Sequence, residues 1–199
     1  MTSREAILAA VRAKAPISRA PVADVPLFEK PSHSLLDDFR DALIRMGGKF
    51  AETKPGADVL ALINSLFPQA KVICSATPEV TGTRVLAATT NPADLADVDV
   101  AIVRAAFGVA ETGSVWLSEQ ELGINALAFL AQHLVILLDP RDIRSNLHHA
   151  YRDPRFKTAR YAVLVTGPSA TADIEGVLIH GAQGVRSLTV VLTASRVQE

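Results

Sequence analysis

Two short polar stretches interrupt the apolar C-terminal half of the chain, and their residue types are those that hold or attack small acyl and anionic groups. The first is AETGS, where Glu111, Thr112, Gly113 and Ser114 set a carboxylate, two hydroxyls and a glycine side by side between FGV and VWL. One reading makes Glu111 a partly desolvated carboxylate used as base, nucleophile or ligand anchor. The other makes it a surface acid in a hairpin-like turn, with Gly113 supplying a positive φ and Ser114 starting the next strand. The second stretch is VTGPSATADIE, Val165 to Glu175, which carries Thr166, Gly167, Ser169 and Thr171. There Gly167 and Pro168 turn the chain, and a helix is predicted to start near Ser169 or Thr171. Its free N–H groups and neighbouring hydroxyls suit a carboxylate or phosphate. Asp173 and Glu175 already supply negative charge to that helix end, which favours simple capping.

Other chemistries find less support. His148 and His149 are adjacent, so on a helix they point about 100° apart and cannot chelate one ion together. No His or Cys pair has zinc-ligand spacing, His33 and His133 are isolated, and no metal is expected. His180 is predicted to end the last helix as a dipole partner. The chain has no GxGxxG, no GxxxxGK[ST] and no GxSxG elbow, and GAQG is only a two-glycine turn. No cofactor is expected. The lone Cys74 lies in the apolar run KVICS, which suits a buried structural thiol and a reducing cytoplasm. Net charge is −1 with acids and arginines interspersed, so no basic stripe offers counterion release to nucleic acid. MTSREAILAAVRAK is too short and charged for a signal h-region, and INALAFLAQHLVILL is broken by Asn125, Gln132 and His133. A soluble protein without a membrane partner is expected.

The elements that must position these stretches are read from periodicity. With 199 residues, 49% apolar and 21% charged, the chain can bury one real core. Thr2 and Glu5 form a capping box for a short amphipathic helix bearing Ile7, Leu8 and Val11. Pro16, Pro21, Pro26 and Pro31 then favour an extended surface segment, so residues 1–31 form an N-terminal helix and proline-rich segment, and 32–199 the α/β domain. Ser34 and Asp37 cap a helix whose Leu35, Phe39, Leu43 and Met46 share a face, stopped by Gly47-Gly48. A further helix spans about 57–67. From Lys71 onward the apolar runs KVICS, VDVAIVRA, SVWLS, LVILLD, YAVLVTG and SLTVVLT alternate with helical stretches, the pattern of a largely parallel sheet covered on both faces. Asp139-Pro140 predicts a helix through Ile143, Leu147 and Tyr151, and SATADIEGVLIHGAQG predicts another of two to three turns. Ligands in such sheets gather beyond the carboxyl ends of strands, which directs attention to the two polar stretches.

VAETGSVWL and LVTGPSATADIEGVLIHGAQGVRSLTVVLT together resemble the lactate utilization protein C family, the LUD-domain proteins of bacteria. The similarity in order runs from about Ala57 to Thr193, and SREAILAAVR is also of the family type. After the ETG strand, where relatives carry a short Asn/Arg-containing segment, this chain reads SEQELGINALAFLAQ over the Glu119–Gln132 region. The resemblance implies a parallel-rich sheet between helices, like that of the ribose-phosphate isomerase, glucosamine-phosphate deaminase and CoA-transferase group. It also implies participation in oxidation of L-lactate to pyruvate as a non-redox subunit, which binds a small carboxylate or works with iron–sulfur companion proteins. Glu111-Thr112-Gly113 is similar to the Glu-x-Gly turn of CoA transferases, which implies an alternative: an acyl-CoA- or sugar-phosphate-handling enzyme with Glu111 catalytic. A non-catalytic structural or regulatory module is the third possibility. In the first, Glu111, Thr112, Gly113 and Ser114 are expected to face Thr166, Gly167, Ser169 and Thr171 across one cleft.

Overall fold

The computed structural model describes residues 2–15, 25–27, 34–53, 57–87, 89–172 and 178–194. Helix α1 (Ser3–Ala13) opens on the expected capping box, with Thr2 N–H donating to Glu5 Oε2 at 2.7 Å and Glu5 N–H to Thr2 Oγ1 at 3.3 Å. None of its residues is buried. Most of the proline-rich segment lies outside the described residues. In α2 (Leu35–Arg45) Asp37 N–H donates to Ser34 Oγ, while Phe39, Ala42 and Leu43 are buried and Leu35 and Met46 are not. Gly47 ends it at φ 80°, in the left-handed region open to glycine. Helix α3 (Val59–Leu66) begins at Asp58, whose carboxylate accepts the N–H groups of Leu60 and Ala61.

The main sheet comprises β1 (Lys49–Glu52), β2 (Ile73–Ser75), β3 (Arg84–Val85), β4 (Val100–Arg104), β7 (His133–Leu138) and β12 (Ser187–Leu192), ordered β1-β12-β7-β4-β2-β3 and parallel throughout. The α/β architecture expected from the Val- and Ile-rich runs is therefore present. Alternation splits the central strands between two apolar layers. Ala101, Val103, Leu134, Ile136 and Leu138 pack with α2, while Val100, Ile102, Val135 and Leu137 pack with Ile63 of α3. Cys74 is fully buried, and its thiol pKa is raised by that burial.

Two of the apolar runs do not join the parallel sheet. SVWLS forms β6 (Ser114–Ser118) and YAVLVTG forms β9 (Ala162–Val165), in a second sheet ordered β8-β5-β6-β9 with β5 (Phe107–Val109) and β8 (Ile143–Arg144). The turn between β5 and β6 is too short for a crossover, so β6 returns antiparallel, and β9 pairs antiparallel with it. Phe107, Val109 and Trp116 on this sheet pack against α6 (Leu147–Tyr151) and α7 (Arg155–Thr158) through Ala150 and Phe156. Short α4 (Glu119–Leu122) and α5 (Leu127–Leu130) link β6 to β7.

Two predicted helices are corrected. Asp139 caps, and Pro140 begins, only a 3-10 turn over Pro140–Asp142. Ile143–Arg144 then runs extended beside Gly108 and Val109, because the N–H groups of Ala110 and Glu111 claim the carbonyls of Arg144 (2.8 Å) and Ser145 (3.1 Å). The helix begins afresh at Asn146, whose side chain accepts the His149 N–H. After TGPS the chain forms β10 (Ala170–Ala172), paired antiparallel with β11 (Leu178–His180), which places His180 on a strand. Ser169 N–H donates to Val185 at 3.0 Å and its carbonyl accepts from Gly181 at 2.8 Å, so these groups serve tertiary pairing instead of a first helical turn. Asp173 and Glu175 lie outside the described residues. Among the described residues no helix is long and apolar enough to cross a membrane.

Candidate functional site

The two polar turns meet. Ser114 Oγ, at the start of β6, is hydrogen-bonded to Thr166 Oγ1, just beyond the end of β9. Both turns also press on the end of α2. Gly113, at φ +66°, lies where an added Cβ would stand 2.2 Å from Leu43 N, and Gly167, at φ +65°, where one would stand 2.1 Å from Met46 O. Gly113, Ser114 and Gly167 are consequently buried. Thr112 Oγ1 is buried without a hydrogen-bond partner among the described residues. Glu111 is exposed, and its Oε2 accepts the N–H of Leu147, the first residue of α6, at 3.0 Å. Ser169 is half-buried and packs on Gly184, and Thr171 is exposed on β10 opposite Ile179. The structure thus joins Ser114 to Thr166 and seats Gly113 and Gly167 on one helix, while Glu111 reaches toward α6 and Ser169 toward the β12 approach.

A cleft of about 660 Å³ opens elsewhere, beyond the carboxyl ends of β2 and β4. This is the ligand position general to parallel sheets. Its walls are Ala76 to Glu79 after β2, Arg104 to Ala106 at the end of β4, Gln120 and Glu121 on α4, and Arg155 at the start of α7. Arg104 uses Nε and Nη2 in a two-pronged pair with Glu79, and both side chains are mostly buried. That pairing fixes the guanidinium plane and leaves Nη1, which lies 3.5 Å from the Thr193 carbonyl. Arg155 is half-exposed and held by Asp153 at 3.0 Å. Glu121 closes the start of α4, accepting from Ser118 N–H at 2.7 Å and Ser118 Oγ at 2.6 Å. Behind the cleft, Ser75 Oγ donates to the Thr77 carbonyl and accepts the Thr77 N–H, which stiffens the turn that presents Glu79.

Two guanidiniums and the Gln120 amide suit a small carboxylate that carries a neighbouring oxygen. Among the described residues no group of three or more His, Cys, Asp or Glu side chains could hold a metal ion. Sequence reasoning missed this cleft. The available signal was a charged residue at the carboxyl end of each of two apolar runs, Glu79 after KVICS and Arg104 at the end of VDVAIVRA. Nearby, Glu119 accepts the N–H groups of Arg160 and Tyr161 at 3.0 and 3.1 Å, which with its own backbone N–H lower its pKa and tie the end of β6 to the start of β9.

Residues 82–193, more than half of the chain, match the LUD domain, a family associated with lactate utilization. The chain belongs to the LUD domain family. The matched span contains the Glu111–Ser114 turn, Thr166 to Thr171, and the cleft residues Arg104, Gln120, Glu121 and Arg155. A search of curated proteins gives no match. Among solved structures, a DUF162 family protein from Deinococcus radiodurans is similar, with 17% identity and a TM-score of 0.63 over 79% of this chain and 95% of that one. That likeness concerns the fold. In this LUD domain the matched span is completed by elements that precede it: β1 pairs with β12, β2 pairs with β4, and α2 supports both polar turns. Glu79 likewise lies ahead of the match yet anchors the LUD domain's Arg104.

Proposed function

We propose that this LUD domain protein is a cytoplasmic, non-redox component of a system that oxidises L-lactate to pyruvate, working beside iron–sulfur companion proteins and holding a small carboxylate. The observation that carries the reading is the cleft beyond β2 and β4, where Glu79 holds Arg104 in one plane and Arg155 also lines the walls. The Nη1 edge of Arg104 and the outer nitrogens of Arg155 pair with a carboxylate, and the Gln120 amide takes the 2-oxygen of a hydroxy or oxo acid. The family's association with lactate utilization selects lactate and pyruvate among such acids.

The two polar turns enter this reading as the face that meets partners. Glu111 and Thr171 are exposed there, while Gly113, Ser114, Thr166, Gly167 and Ser169 hold the turns in place against α2 and β12. Glu111 engages a helix N–H, which suits an anchoring carboxylate better than a nucleophile. In the source cells, replacing the native gene with one encoding Arg155→Gln is expected to impair growth on L-lactate and to spare growth on glucose. Protein isolated from lactate-grown cells is expected to bring iron–sulfur proteins with it. Unimpaired growth on lactate would overturn the cleft's role, and purification without such proteins would overturn the partnership.

A further inference from the structure

A second cleft, of about 400 Å³, lies at the opposite rim of the main sheet, at the amino ends of β1, β7 and β12. Lys49, Arg186 and His133 line it, one from each of the three strands or its approach. Elsewhere in the fold Arg84 is ion-paired with Asp97 and Arg104 with Glu79. Lys49 and Arg186 are different: among the described residues no ion pair engages either, although both border one concavity. Arg186 is set in place by its backbone, whose N–H donates to the Gln132 carbonyl at 2.8 Å, and by its stem, which lies against Gly181. His133 is held by Ser187 Oγ at 2.8 Å from Nδ1 and by the Phe67 ring at 4.7 Å. That leaves Nε2 as the ring nitrogen for a ligand. The acid of this cleft, Asp99, is turned to structural use, since its Oδ2 accepts the N–H groups of Lys71 and Val72 at 2.7 and 2.9 Å.

We propose that this rim is a binding site for a dianionic oxyanion, the phosphate group of a small metabolite or free phosphate, gripped by Lys49, Arg186 and His133. Burial of the imidazole lowers the His133 pKa, and the charges of Arg186 and Lys49 beside it lower it further. Asp99 opposes this weakly. A bound dianion reverses the repulsion, so binding takes up a proton, and affinity rises as pH falls through the His133 midpoint. A monocarboxylate such as lactate brings half the charge and competes poorly, which separates this site from the cleft beyond β2 and β4.

The test follows histidine ring signals of the full chain by NMR across pH 5 to about 8, at constant ionic strength in chloride, with and without sodium sulfate. Sulfate serves as the first probe because it stays dianionic across this range. His133 is assigned from the signal lost in His133→Gln. The expected result is a saturable upward move of the His133 midpoint, with sulfate affinity reduced about tenfold in each of Lys49→Gln and Arg186→Gln, as for loss of one charge-assisted contact. Both residues are exposed, so circular dichroism should report an unchanged fold. Inorganic phosphate and glycerol phosphate are then compared: tighter binding of the ester marks a metabolite site, and tighter binding of the free ion marks a phosphate site. An unsaturating shift, the same shift in a Lys49→Gln/Arg186→Gln double variant, or L-lactate binding as tightly as sulfate would overturn the proposal.

Discussion

The hydroxyls of Ser114 and Thr166 are hydrogen-bonded to one another across 52 positions of sequence, and this contact ties the two polar turns of the LUD domain together. Ser114 is nearly inaccessible to solvent, so either hydroxyl left alone there must find another partner or remain unsatisfied. Ser114→Ala and Thr166→Val are each expected to lower stability by about 1 kcal/mol. The double variant should lose clearly less than the sum, because it leaves no orphaned hydroxyl. Urea denaturation of the four proteins measures this coupling.

Gly113 makes a harder demand. Alanine there meets both the positive φ and the Leu43 backbone, so Gly113→Ala should destabilise by about 3 kcal/mol or more. Gly123 provides the comparison. Its φ of +63° with ψ −53° is a γ-turn conformation that also disfavours a side chain, yet its added Cβ would touch only the end of the Leu86 side chain at 3.0 Å, so Gly123→Ala should lose about 2 kcal/mol, less than Gly113→Ala. Thermal denaturation of the pair separates backbone collision from backbone conformation.

The Glu79–Arg104 pair predicts an asymmetry. Glu79→Gln leaves the mostly buried Arg104 charge uncompensated and should destabilise by about 3 kcal/mol, whereas Glu79→Gln/Arg104→Met, which removes both charges, should recover much of that loss. Chemical denaturation checks the order of stabilities.

Acid sensitivity should trace in part to Asp99. The Val72 and Lys71 N–H groups that it accepts hold its pKa below the usual 3.8. A carboxylate depressed in the folded state contributes stability that is fully present above the unfolded value and is lost as pH falls through the folded one. The contribution of Asp99 should therefore be constant from neutral pH down to about 5 and should fade below about 4. Asp99→Asn should be less stable than the parent at pH 6 and approach it at pH 3, as denaturation midpoints at the two pH values would show.

How much of this was open to inspection in the sequence depends on how local its cause is. VDVAIVRA, LVILLD and SLTVVLT are apolar on both faces, so their place in a doubly covered sheet follows from their own residues. Ser34 announces a helical start because a cap acts within three residues, whereas Asp139 announces only the 3-10 turn that it caps. The fate of Ile143 and Arg144 was not legible, because it is decided by the N–H groups of Ala110 and Glu111 more than thirty positions away. Strand β1 reads as KFAE, too short and mixed to stand out, and becomes a strand by lying along Thr189 to Leu192. The convergence of the two polar turns was legible as a pattern of glycines and hydroxyls, but the role of α2 as their common seat was not. Arg104 and Glu79 each look like an ordinary charge at a strand end, and only the pairing of β2 with β4 makes them one feature.

Calorimetric titration of the purified protein with L-lactate and with pyruvate tests the central claim most directly. Saturable binding is predicted for at least one of the two acids, weakened about tenfold in Arg155→Gln and also weakened in Arg104→Lys, which keeps the charge but loses the fork. No heat of binding from either acid, or equal affinity in all three proteins, would contradict it.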